Sequence, residues 1–327
     1  MSQIIDPILR ALGSAFYFLY NTIGFQSFGL TIIFFTIITK LILLPLTLKS
    51  QKSSQAMNAL QPEVKRIQEK YKNDKEKQNQ EIQKLYQENN VSCMGGCLPM
   101  LLQFPILIAL YSVLRRPLTL VVGKTVESVM SLVNSLPAEM QKVVAYSANV
   151  ETFDKISQIN ELKLVNFLTN NPGYLNQNIT SSDLINLKFL GLNLGEVPTI
   201  KPDLLFGEQM GIYLPLLIIP IVAVIMTVIS QRLMTPSQPK PEKKDDKNPL
   251  GGMGNMMKYM IPGMTLYFSF ILPAGMGFYW INTYVFQIFT QLYLNWKKKQ
   301  DEEGKADNGK KPAEKPPEKK KLDGGKK

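Results

Sequence analysis

This sequence predicts an all-α, polytopic membrane protein: a five-helix core with a cytosolic helical hairpin and an N-terminal interfacial helix. Three observations predict it. Long apolar runs alternate with strongly charged segments, so the mean hydropathy of -0.03 averages two populations. Five of the runs are long enough to cross roughly 30 Å of hydrocarbon. Lys and Arg are shared unevenly among the intervening segments, as they are where a membrane sorts loops by charge.

Residues 1–27 come first. Ile5, Ile8, Leu12, Phe16, Leu19 and Ile23 recur at helical spacing, and Asp6 and Arg10 interrupt the apolar run early. No small-residue cleavage site or lipobox cysteine is evident, so the segment is expected to stay as an interfacial amphipathic helix rather than leave as a signal peptide. The first span is 28–48, Phe28 to Leu48, with Lys40 as its one charge. Residues 49–96 read as a cytosolic helical hairpin. Met57, Leu60, Val64, Ile67 and Tyr71 form a narrow seam, Asn73 and Asp74 offer a break, and Ile82 and Leu85 supply a second seam. A solvated coiled hairpin and a docking site for a cytosolic partner fit this pattern equally.

The second span, 97–116, has its apolar run from Cys97 to Leu114. Residues 117–210 are mildly acidic and rich in Asn and Leu. They are expected to fold as a small helical cap outside the membrane, with no visible chemistry. The third span, 211–231, runs from Ile212 to Ser230, and 232–255 is a charged cytosolic loop. Residues 256–296 hold the fourth span, Met256 to Leu272, and the fifth, Gly275 to Leu294, joined by Pro273 and Ala274 as a tight hairpin. Pro99, Pro105, Pro215, Pro220 and Pro262 are tolerated in spans where neighbours or water satisfy the freed backbone groups. Residues 297–327 are basic and poor in apolar side chains, so a disordered cytosolic tail is expected. Such a tail serves as a topology determinant, or binds anionic lipid or ribosomal RNA.

Orientation follows from charge. Segment 49–96 has nine Lys and Arg, 231–255 has five, and 297–327 has twelve. Segment 115–211 has eight against nine acids. Positive-inside therefore places the first three in the cytosol, and the N-terminus and 117–210 outside.

Composition excludes several functions. The chain has no histidine, which removes His-based catalysis and His metal ligands. Cys93 and Cys97 lack further ligands nearby and read as packing residues. No Asp or Glu lies within any of the five spans, which argues against a carboxylate proton relay or an intramembrane aspartyl protease. No phosphate-binding loop is present. No catalytic residue, metal site or cofactor is expected, and the chain does not read as an enzyme. The spans instead carry Thr36, Gln103, Ser112, Thr227, Asn282 and Gln287. Singly such residues usually pack helices together; as a set they suit a polar, adaptable binding surface.

Lys40 is the sharpest feature. A lysine at that depth costs roughly 2.5–3.5 kcal/mol on insertion scales, so something near it must be wet or polar. Eight residues separate it from Leu48, about 12 Å along a helix. The side chain falls short of bulk water over that distance unless the bilayer thins. A water-filled cavity opening to the cytoplasm is the preferred reading, with snorkelling as the other. Thr36 lies one turn earlier on the same face. Pro45, one turn later, frees a backbone carbonyl and weakens the helix. Lys258 is the only other lysine in a span and lies close enough to the cytosolic end to snorkel.

Several strings resemble one family. They are Thr36-x-x-x-Lys40 followed by LILLPL, Leu60-Gln61-Pro62 in the hairpin, and GCLPMLLQFPI from Gly96 to Ile106. Pro273-Ala274-Gly275 with Phe278-Tyr279-Trp280-Ile281 makes a fourth. They resemble the YidC/Oxa/Alb membrane protein insertases, over all five spans and the hairpin. The resemblance implies a five-helix core around a hydrophilic groove open to the cytosol and to lipid, and closed toward the outside. It implies that Lys40 stands at the groove's positive position and attracts acidic residues in translocated tails. Thr36 and Trp280 match groove positions, Gln231 matches less closely, and Gln103 is counted with them as a groove residue.

The expected function is thus a membrane protein insertase and chaperone of the bacterial plasma membrane. It would receive nascent segments in the groove and release them sideways into lipid. Expected partners are nascent membrane proteins with acidic tails, the ribosome through the basic tail and loops, a Sec-type translocon and anionic lipid, with no DNA. The family position usually carries Arg; Lys keeps the charge and loses the bidentate fork. The large outer domain of Gram-negative members is missing, so the chain resembles the compact Gram-positive type. Segment 117–210 is longer than expected for that type. An anion transporter or channel, an assembly chaperone that does not insert, and a membrane hydrolase are the competing classes.

Overall fold

A computed structural model of the protein describes residues 2–89, 91, 98–145, 156, 159–234 and 249–307. Helices dominate it. α1 (Ser2–Asn21) leads into α2 (Phe28–Ala59), α3 (Gln61–Lys70), α4 (Lys75–Glu88) and α5 (Leu98–Arg115). A π-helical turn, Pro117–Val121, follows α5. α6 (Val126–Ser135), α7 (Ala138–Val144), α8 (Glu161–Asn170), the short hairpin β1 (Lys188–Phe189) and β2 (Leu192–Asn193), and α9 (Pro202–Leu205) make a cap. α10 (Met210–Leu216), α11 (Ile218–Met234), α12 (Pro249–Ser269) and α13 (Ala274–Asp307) complete the chain. β1 and β2 pair antiparallel, Lys188 opposite Asn193. Cys93 and Cys97 lie outside the described residues.

The cap fixes the direction of the long helices. The Phe28 N–H donates to the Asn186 carbonyl, and the Ala274 and Gly275 N–H groups donate to the carbonyls of Glu196 and Leu194. α2 and α13 therefore both start at the cap. α5 ends there, because the turn after it bonds to the first residue of α8. α10 starts against β2. The five long elements thus alternate in direction, with the cap at one end and the α3–α4 hairpin at the other. Their outward faces are apolar and exposed: Ile38, Leu41 and Ile42 on α2, Ile221 and Ile225 on α11, and Phe289 and Leu292 on α13. A belt of this kind suits lipid rather than water. Two helices among the described residues are long and apolar enough to cross a membrane, Phe28–Ser53 and Met210–Met234.

Glu161 ties the cap to α5. Its carboxylate is 1% exposed. It accepts from the Leu118 N–H at 2.8 Å, the Thr119 N–H at 3.0 Å and the Thr119 hydroxyl at 2.7 Å. Burial pushes the carboxyl above its ordinary range, against the pull of those bonds and of Arg116. The cap core (Val129, Leu132, Val165 and Leu168) is continuous with Phe16, Phe28 and Ile32 of α1 and α2.

Several expectations need correction. α1 packs through Leu9, Phe16, Leu19 and Tyr20, while Ile8 and Ile23 point outward. The packed stripe is thus rotated from the one expected. Gly13 sits on that stripe so close to the Leu120 carbonyl that a β-carbon would overlap it. α2 carries the first span on without a break into the first arm expected of the hairpin, to Ala59, and Pro45 leaves it unbroken. The third span breaks at Leu217, between Pro215 and Pro220. α12 starts at Pro249, inside the segment expected to be a loop. α13 continues to Asp307, so the tail is not disordered from residue 297; Lys299 and Glu303 pair one turn apart at 3.8 Å.

The hairpin follows its seam more closely. Val64, Ile82 and Tyr86 form its core, with Met57, Leu60, Ile67 and Leu85 packed around them. Asp74 caps α4 by accepting from the Lys77 N–H at 3.0 Å. Tyr86 was not in the expected seam, and Tyr71 sits at the end of α3 beneath the Lys70 and Lys77 ammonium groups.

Candidate functional site: the polar interior of the helical bundle

An ammonium inside an apolar helix needs acceptors, and α5 supplies one. The Lys40 Nζ donates to the Gln103 Oε1 at 2.8 Å. The Gln103 Nε2 in turn donates to the Tyr279 hydroxyl at 2.5 Å. Tyr279 is 1% exposed, near the start of α13. One polar chain thus joins α2, α5 and α13. An ammonium has three donors, and Gln103 takes one. Among the described residues no carboxylate pairs with Lys40.

The other expected residues are distributed around this chain. Thr36 is fully buried on α2, and its hydroxyl donates back to the Ile32 carbonyl at 2.6 Å. Trp280 follows Tyr279 but turns toward α12, its ring 6.3 Å from that of Phe268. Gln231 lies near the far end of α11 and is not bonded to Lys40; its Nε2 is buried without a partner. The geometry therefore brings Lys40 and Gln103 together, keeps Thr36 one turn away, and puts Trp280 and Gln231 on other walls.

Two features were not read from the sequence. In the sequence Tyr279 stands only within the string Phe278-Tyr279-Trp280-Ile281; in the fold its hydroxyl accepts from Gln103. A second polar layer lies farther from the cap. There the Ser230 hydroxyl bonds the Gln287 Oε1 at 3.2 Å, and the Thr227 and Thr265 hydroxyls meet at 3.5 Å. Thr227, Ser230 and Thr265 are all buried. On α2, Gln51 is 4% exposed, and neither its amide nitrogen nor its oxygen has a partner. No cluster of His, Cys, Asp and Glu able to hold a metal occurs among the described residues.

Apolar and exposed on its outer faces, with a half-buried lysine joined to polar side chains between its helices, the bundle defines an all-α polytopic membrane protein. The sequence profile of the 60Kd inner membrane protein family matches residues 18–302. The chain belongs to that family. A membrane protein insertase YidC of Clostridium tetani is 58% identical over 90 residues, 28% of this chain and 41% of the relative. One of Fusobacterium nucleatum is 48% identical over 117 residues, 35% of this chain and 55% of the relative. A YidC of Listeria monocytogenes is 28% identical over 286 residues, covering 86% of this chain and 69% of the relative. The chain spans about half the length of the first of these curated relatives.

Proposed function

We propose that this protein inserts other membrane proteins into the bacterial plasma membrane, without covalent chemistry. Five spans cross the bilayer: α2, α5, α10 with α11, α12, and α13. The N-terminus and the cap lie outside, and the hairpin and the C-terminus lie in the cytosol. A nascent segment enters a hydrophilic groove between the helices. Its acidic tail meets Lys40, with Thr36, Gln103, Trp280 and Gln231 as further polar or aromatic contacts. The apolar part then leaves sideways into lipid, driven by burial worth about 25 cal/mol per Å². The ribosome docks on the basic loops and tail, which also meet anionic lipid, and a Sec-type channel is a further partner.

One observation carries this reading. Lys40 is held in the bundle by an uncharged amide, with no carboxylate among the described residues to neutralise it. A charge kept that way is available to an incoming anion. The names of the relatives support the same class of activity.

The test is insertion of an acidic-tailed client in cells depleted of other insertases. Lys40→Glu is expected to block it at normal protein level, and Lys40→Arg to preserve it. Normal insertion by the glutamate variant would overturn the role. A cysteine placed at position 40 is expected to react with a membrane-impermeant thiol reagent added from the cytosolic side.

A further inference from the structure

A cleft of about 270 Å³ lies between α1 and the turn after α5, and the groove mechanism makes no use of it. Arg10, Ser14 and Tyr17 line one wall, and the chain from Thr119 to Gly123 lines the other. At 100° per residue these three side chains form one edge of α1. The edge lies between the packed stripe, with Leu9, Gly13, Phe16 and Tyr20, and the exposed side of the helix that carries Phe18. The cleft therefore opens where α1 meets lipid.

The chemistry of that edge is specific. Among the described residues Arg10 makes no ion pair or hydrogen bond, not even with Asp6 one turn before it. The hydroxyls of Ser14 and Tyr17 are likewise unbonded there. A guanidinium fork beside two free hydroxyls matches the oxygens of a phosphate. Glu161 lies behind the turn, its carboxylate held by Leu118 and Thr119, and the Arg116 charge also acts on it. Asp6 and Arg10 leave α1 without net charge, so it carries no polybasic field. Any attraction for an anion is local to the cleft.

We propose that this cleft binds the headgroup of an anionic phospholipid. Arg10 pairs with the phosphate, Ser14 and Tyr17 hold its oxygens, and the acyl chains run along Phe18. The bound lipid belongs to the outer leaflet if the orientation proposed above holds; the binding itself does not depend on it.

The test uses the purified full chain in nanodiscs of phosphatidylglycerol and phosphatidylcholine, with retained lipid counted by native mass spectrometry. Wild type is expected to retain phosphatidylglycerol about fivefold or more over phosphatidylcholine, the scale of a charge-assisted contact. Arg10→Gln is expected to bring the two lipids to parity, and Arg10→Lys to retain part of the preference. Ser14→Phe, which fills the cleft and keeps the charge, is expected to abolish it. An unchanged preference in both Arg10→Gln and Ser14→Phe overturns the site. Displacement of the lipid by millimolar inorganic phosphate would make free phosphate the ligand and overturn the lipid assignment. Client insertion by these variants is scored separately, so failure of this site and failure of the Lys40 role are distinguishable.

Discussion

Lys40 and Tyr279 are joined through one amide. Gln103 accepts from the first with its oxygen and donates to the second with its nitrogen, at 2.8 and 2.5 Å. Gln103→Leu keeps most of the volume and removes both bonds. Each orphaned buried group costs about 1–3 kcal/mol, so the thermal midpoint in detergent is expected to fall. Gln103→Glu tests the charge instead. It places a counter-ion on Lys40, and is expected to keep the fold and depress insertion of acidic-tailed clients. Full insertion by that variant would show that the free cation is not needed.

Glu161 makes the cap sensitive to pH. Its carboxyl is raised above the ordinary range, chiefly by burial. Between the ordinary and the raised value the folded cap holds a proton that the unfolded chain has released. The stabilisation is therefore complete at low pH and lost as pH rises through the raised value. Hydrogen exchange in α8 is expected to slow on acidification across that window. Glu161→Gln is expected to flatten the response while weakening the cap by about 1–3 kcal/mol, because an amide NH₂ then faces N–H donors. An unchanged pH slope in this variant would sink the assignment.

Gly13 sets how closely α1 approaches the turn after α5. A β-carbon there overlaps the Leu120 carbonyl, which is backbone and cannot rotate away. Gly13→Val is expected to destabilise the protein by about 1–3 kcal/mol and to swing α1 outward. A disulfide engineered between α1 and residues 120–122 reports the displacement by its yield.

The α3–α4 hairpin has its own small core, separate from that of the cap. Ile82→Ala opens a cavity against Val64 and Tyr86 at a cost of about 2–5 kcal/mol. The loss is expected to stay local: faster exchange in α3 and α4, with the bundle unchanged. Client crosslinks to the hairpin that survive this loosening would argue against its folded surface as a docking site.

Much of this was legible in the sequence for physical reasons. Lys40 stands out because one charge in an apolar run has a large energetic cost. The hairpin seam stands out because its apolar residues repeat with the helix. The Gln103 partnership has no such signature: 63 residues separate it from Lys40, and pairing across helices leaves no period. Glu161 carries no signal in the sequence, because a glutamate at a helix start ordinarily faces water and the helix dipole. Only the fold reveals that two N–H groups of a π-helical turn converge on it. The stripe on α1 was misplaced because Ile8 and Ile23 face outward, where apolar side chains carry no information about packing. Composition alone hides the end of α13, because it ignores the spacing that lets Lys299 reach Glu303.

α13 spans 34 residues, about 51 Å at 1.5 Å per residue, against roughly 30 Å of hydrocarbon. Between Phe278 and Glu303 it contains neither proline nor glycine. It is a stiff rod with one end anchored at the cap beside Tyr279, and in the proposed orientation its other end stands well clear of the bilayer. A torque applied to the basic end by the docking proposed above would have no hinge along that stretch in which to dissipate, and would arrive at the hydroxyl that Gln103 bonds in the lysine's polar chain.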